Sequence, residues 1–165
     1  MAGGTTARVK VADQVWLVAA LLHREHADRD DFTIEEILAR ARREPVSRPL
    51  RPGFHVHVVQ HCVANRRPNP GRWRMLVETA PGRRRLYRPG DPSHPARDGA
   101  RSLPEAGLIP VEHRELLAWY RTEYGRRAHA GRGLDPLLAL RGSGRALWAD
   151  DPSDAYVRRL REGWA

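Results

Sequence analysis

Apolar positions recur at steps of three and four through the first part of the chain. Val11, Val15, Val18, Ala19 and Leu22, with His26 at the end, fall on one narrow stripe and predict a helix over 11–26. The next segment, DFTIEEILARARREP, carries its own start and stop. Thr33 and Glu36 have the T-x-x-E spacing of a capping box, Ile34, Ile37, Leu38 and Ala41 line one face, and Pro45 ends the run. A Pro-rich loop, VSRPLRPG, leads to GFHVHVVQHCVAN, where HVHVV alternates as a strand does. At about 100° per residue, Val56, Val58, Val59, Cys62 and Val63 gather in one arc, with His57, Gln60, His61 and Ala64 opposite. A strand would lose its alternation at Val58 and Val59, so a third helix over 53–65 is predicted.

The pattern then changes period. Residues 72–79 read as a strand, 80–82 as a turn and 83–88 as the partner strand. An isolated hairpin is marginal in water, so Trp73, Met75, Val77, Leu86 and Tyr87 are expected to pack on the helices. Residues 91–105 turn to Pro, Gly, Ser, Asp and Arg, as a loop or linker does. Helical spacing returns over 110–124 through Leu116, Leu117, Trp119, Tyr120 and Tyr124, and GRRAHAGRG follows as a hinge. Beyond it, DPLLALR and DPSDAYVRRLREGW each open on Asp-Pro, the pairing of an N-cap with a first-turn proline, and GSG separates them.

The expected fold is therefore α+β and mostly helical. It comprises a winged helix-turn-helix with a basic β-hairpin wing, an extra C-terminal helix, and an extended tail with two short helices. The expected divisions are a flexible 1–10, a DNA-binding domain over 11–124, a hinge over 125–134 and a partner-binding tail over 135–165.

Charge sharpens this picture. The net charge is +9 and Lys10 is the only lysine, so the positive charge is almost wholly arginine. Guanidinium forks onto phosphate and carboxylate, which points to nucleic acid or an acidic protein; arginine-rich codon usage is the plainer account. One cysteine, Cys62, excludes an internal disulfide, and the apolar run at 15–22 is too short to span a bilayer. No membrane partner and a cytoplasmic location are expected.

The predicted third helix turns His57, Gln60 and His61 outward, and Asn65, Arg66 and Arg67 extend it. With Arg72, Arg74, Arg83, Arg84, Arg85 and Arg88 of the hairpin, these residues would make a continuous basic surface for a duplex. The plainer readings are a solvated helix face and a charged edge that blocks aggregation. His55, His57, His61 and Cys62 invite a metal reading, with His94 and His113 as further ligands, but Cys62 points away from the His57–His61 face and no C-x-x-C pair exists. No metal or cofactor is expected. Catalytic motifs are missing, and the scattered acids read as helix caps, leaving a nuclease built on Asp91 and His94, with His57 or His61, as the weaker alternative.

Two resemblances bear on these residues. LLHREH, HVVQHCVANRRPNPGRWRML and RRRLYRPGDPSHP resemble a bacterial and archaeal family of winged-helix domains, over residues 11–124. DPLLALRGSGRALWADDPSDAYVRRLREGW is similar to the toxin-binding tails of type II antitoxins of the VapB kind, which pair with PIN-domain ribonucleases. The second resemblance implies an antitoxin, not an enzyme. Its tail would hold a PIN-domain toxin through Leu137, Leu140, Leu147, Trp148, Tyr156, Val157, Leu160 and Trp164. Arg141 or Arg145 would approach the toxin's acidic centre. Its DNA-binding half would repress its own operon at an operator duplex, as a homodimer or a larger hetero-oligomer. That family's DNA-binding module is most often a different fold, so a winged helix here is a departure. The alternatives are a tail folded back as ordinary core and a winged-helix interaction module without a DNA function.

Overall fold

The computed structural model describes residues 9–127. The chain divides into two units, Met1–Arg126 and Arg127–Ala165. The tail residues expected to bind a toxin, Leu137, Leu140, Arg141, Arg145, Leu147, Trp148, Tyr156, Val157, Leu160 and Trp164, lie outside the described residues.

The described part is α+β. Helix α1 (Val11–Glu25) is followed by a two-residue strand β1 (Phe32–Thr33), helix α2 (Ile34–Arg43) and a short α3 (Phe54–Val56) that continues as a π-helical turn, His57–His61. Strands β2 (Leu76–Ala80) and β3 (Arg83–Leu86) come next, and α4 (Glu115–Thr122) closes the unit. Among the described residues no helix is long and apolar enough to cross a membrane.

Helix α1 buries more than the stripe its period predicts. Ala12, Val15, Trp16, Val18, Ala19 and Leu22 are inside, but so are Asp13, Gln14, Leu17, Ala20 and His23. The reason is tertiary: α2, α3, α4 and β3 all pack on α1, which makes it the central post of the core. Helix α2 is amphipathic as expected, and its capping box is formed, with Glu36 N–H donating to Thr33 Oγ1 and Thr33 N–H to the Glu36 carboxylate. Trp16 meets Tyr120 of α4 edge-on at 5.8 Å, and the His23 ring lies 4.9 Å from Phe32 and 4.7 Å from Tyr124.

The sheet is antiparallel in the order β1-β3-β2. Strand β1 escapes a pattern reading because two residues carry no period; it exists because Phe32 and Thr33 pair with Arg84 and Arg83. The hairpin is shorter than predicted. Residues 72–75 stay outside β2, where Met75 and Leu76 instead donate their N–H groups to the Cys62 carbonyl. The turn holds Gly82 at φ 74°, a left-handed conformation that favours glycine. Met75, Val77, Leu86 and Tyr87 are buried and Trp73 packs on the core, as the hairpin required.

Residues 91–109 are built into the fold. Pro95–Arg97 and Ala106–Leu108 form 3-10 turns, Ile109 is buried, and Leu103 packs against the core. The segment is anchored by arginine: Arg97 is fully buried, and Arg101 reaches the buried Asp13 at 2.7 Å.

Candidate nucleic-acid interface

The segment predicted as a straight third helix is in fact a single α-turn opening into a π-turn. Cys62 N–H donates to the His57 carbonyl, five residues back. The wider turn shifts the phase of the side chains. Val58, Cys62 and Val63 are buried, but Val56, placed in the inward arc by a regular helix, is 43% exposed.

A π-turn this short leaves carbonyls at its C-terminal end with no helical partner. Buried guanidinium groups supply the donors. Arg84 bonds the Val58 and Val59 carbonyls at 3.3 and 3.4 Å. Arg97 bonds the Gln60 and His61 carbonyls at 2.9 and 2.8 Å, and also those of Arg66 and Trp73, both at 2.7 Å. Burial lowers the pKa of both arginines from the ordinary value, and the carbonyl ends of the turn favour the positive charge.

This architecture redistributes the expected basic surface. Arg84, Arg85 and Arg88 are 1%, 8% and 3% exposed. Arg84 also pairs with Glu78, Arg85 forks onto Asp91 through two bonds of 2.6 Å, and Arg88 reaches Asp30 at 2.9 Å while lying over the Tyr124 ring. Arg83 is held by Asp31 at 2.6 Å, Arg66 forks onto Glu78 at 2.7 and 2.8 Å, and Arg74 donates to the Ala100 carbonyl. Asn65 is likewise committed: its side chain both donates to and accepts from the Glu78 backbone, at 2.9 Å each way, as a strand neighbour would. Arg74, Arg83, Arg84, Arg85 and Arg88, expected to face a duplex, are therefore engaged within the fold, and Arg72 is not. Of the acids that capture them, Asp31 and Asp30 lie 52 and 58 positions away, whereas Glu78 and Asp91 lie within or just beyond the hairpin.

Among the described residues, exposed arginines without an ion pair lie around the π-turn and the loop after it, and also around α4 at Arg114, Arg121 and Arg126. Arg67 and Arg72 are exposed and carry no ion pair, as are Arg42 and Arg43 at the end of α2. His55 is exposed, while His57, Gln60 and His61 are half-buried. His57 Nδ1 is 2.8 Å from the Gly53 carbonyl, and Gln60 donates to the Arg67 carbonyl. Two hollows flank this turn. One, of about 410 Å³, is lined by Gln60, Arg67, Pro68 and Asn69; the other, of about 320 Å³, by His57, His61, Pro70, Gly71 and Trp73. Burial, with His57 and Arg97 nearby, holds the His61 pKa below the usual imidazole value, which favours the neutral ring.

Arg42 and Arg43 were not singled out by the sequence, and His55 was considered only as a metal ligand. The signal that could have found the first two was their place in the last turn of α2, immediately ahead of the turn into α3.

Among the described residues no group of three or more His, Cys, Asp or Glu could hold a metal ion. Cys62 is fully buried, and burial pushes its thiol pKa well above the ordinary value, so it behaves as a small apolar group. Asp91 is locked to Arg85 and accepts the Arg88 backbone N–H at 2.7 Å, while His94 Nδ1 accepts the Ala96 N–H at the start of a 3-10 turn. Asp91 is thus committed within the fold, whereas the His94 contact uses Nδ1 alone. No protein-family model, characterised protein or solved structure matches the chain.

Proposed function

We propose that residues 9–127 form a winged helix that binds duplex DNA through α3, its π-turn and the loop that follows. The element order supports the reading: α1-β1-α2-α3-β2-β3 with sheet order β1-β3-β2 is that of a winged helix-turn-helix, with α3 in the position of the recognition helix. The observation that carries it is the unspent charge. In a unit where most guanidiniums have been captured internally, Arg67 and Arg72 after the π-turn and Arg42 and Arg43 before it form a group of arginines that stay exposed without an ion pair; Arg114, Arg121 and Arg126, around α4, do so as well. Phosphate contacts position such a module, and Gln60 and His55 offer hydrogen bonds to base edges. The hairpin turn is only Pro81–Gly82, so its part is to brace α3 and not to reach along a groove.

The second half of the proposal is that the chain is an antitoxin whose tail neutralises a PIN-domain ribonuclease. It rests on the sequence of residues 135–165, where large apolar side chains alternate with charges between glycine hinges. The reading includes a homodimeric DNA-binding state that represses its own operon.

Both halves are testable on the full chain. The double variant R67A/R72A should weaken duplex binding and reduce the slope of log affinity against log salt by roughly two, about one per phosphate contact. An unchanged slope would remove these arginines from the interface. The double variant L147A/W148A should release a co-expressed PIN-domain protein and restore its ribonuclease activity; continued co-purification of an inactive nuclease would remove the tail from the reading.

A further inference from the structure

The smaller hollow beside the π-turn is built from rings. His57 meets His61 edge-on at 4.9 Å and lies tilted against Trp73 at 5.4 Å. Pro70 and Gly71 complete the lining of a space of about 320 Å³. Gly71 is required by this packing: a Cβ there would fall 2.7 Å from both His61 Cβ and Trp73 Cζ3, so the loop backbone lies directly against the rings. The neighbouring hollow differs in kind. It is bounded by the Gln60 and Asn69 amides and by Arg67, whose guanidinium has no ion pair.

A ring-lined hollow beside an uncommitted guanidinium matches one nucleotide in two parts, a flat heteroaromatic ring and a phosphate. Phosphate contact alone would not call for the rings, and a base stacked within a duplex presents only its edges. An unpaired base presents its π-face, and base–aromatic stacking is worth about 1–3 kcal/mol per base irrespective of sequence. We infer that the His57–His61–Trp73 hollow binds an unpaired nucleobase of DNA, with Arg67 on the adjoining phosphate. The inference rests on the assignment of this face to nucleic acid and extends it from paired to unpaired DNA.

The test compares three fluorescent probes on the full chain at one salt concentration: oligothymidine, an abasic deoxyribose-phosphate oligomer of the same length, and a duplex of the same length. Oligothymidine should bind about five- to a hundredfold tighter than the abasic oligomer, the factor that one stacked base supplies. H57A and W73L should remove most of that difference, bringing the ratio of oligothymidine to abasic binding close to one. Equal binding of oligothymidine and abasic oligomer by the natural chain overturns the inference, whatever the variants do. So does an unchanged ratio of oligothymidine to abasic binding in folded H57A. Binding to oligothymidine without binding to duplex would overturn the duplex reading and leave the hollow's assignment standing, and binding to neither overturns both.

Discussion

Arg84 and Arg97, separated in sequence and both buried, donate to four consecutive carbonyls, those of Val58, Val59, Gln60 and His61. The turn that carries the candidate interface is thereby clamped from the sheet by one guanidinium and from the post-hairpin segment by the other. Removing Arg97 takes a donor from four part-buried carbonyls at once, of which that of Gln60 still accepts the Val63 N–H. R97A should lose about 3–5 kcal/mol, the range for breaking a buried charged contact. R97K, with three donors for four carbonyls, should fall between R97A and the natural chain. Urea denaturation measures both, and R121A, an exposed position on α4, should stay within about 0.5 kcal/mol.

A combined R83A/R84A/R85A substitution, natural as a probe of a wing, should chiefly destabilise the fold. Two of the three side chains are buried, and Arg85 carries the fork to Asp91. D91N should reproduce much of the loss without removing an arginine, because it leaves the Arg85 charge without its carboxylate. Thermal melts distinguish this from a DNA-contact role, in which stability would be unchanged and only affinity would fall.

Acid should weaken the fold in a defined window. Hydrogen bonds from Arg29 and from the Thr33 backbone hold the Glu36 carboxyl down from 4.5 to about 2, and Arg83 with Thr79 lowers Asp31. A carboxyl whose folded pKa is depressed contributes stability that is complete above its unfolded value and is lost as pH falls through the folded one. Stability should therefore decline from about pH 4.5 towards pH 2, and E36Q should be less stable at neutral pH and flatter across that window. Asp13 works in the opposite sense, since burial raises its pKa and acid relieves that cost. Urea midpoints at a series of pH values report the slopes; parallel curves for E36Q and the natural chain would refute the assignment.

His61 gives a second window near neutrality. Its pKa is lowered from 6.5 by burial and by His57 and Arg97, so the unfolded chain binds the proton more readily than the folded one. Stability is full above about pH 6.5 and decreases as pH falls below it. H61Q should remove this step. The same urea series, extended upward, measures it.

Cys62 should resist alkylation by iodoacetamide until the chain opens. The thiolate is the reactive species, and burial disfavours it. Modification in the native state at a rate independent of stability would contradict the burial. A parallel rise in rate with each destabilising substitution above would support it.

The local pattern of residues set much of this fold in advance. The period of 11–25 and 34–43 specified helices, Thr33 and Glu36 specified where the second begins, and Pro81–Gly82 specified a turn between strands. Those features depend on neighbours within a few positions, and sequence spacing records such neighbours directly. Composition likewise recorded the excess of arginine, but not which arginines face solvent. That was decided by tertiary partners: Asp31 for Arg83, Asp30 for Arg88 and the carbonyls of the π-turn for Arg84 and Arg97, all far along the chain, with Asp91, only 6 positions away, for Arg85. The π-turn itself, with Val56 turned outward, arises for the same reason. Its carbonyls can abandon regular helical bonding only where buried donors from other elements replace it, and those donors meet it only once the chain has folded.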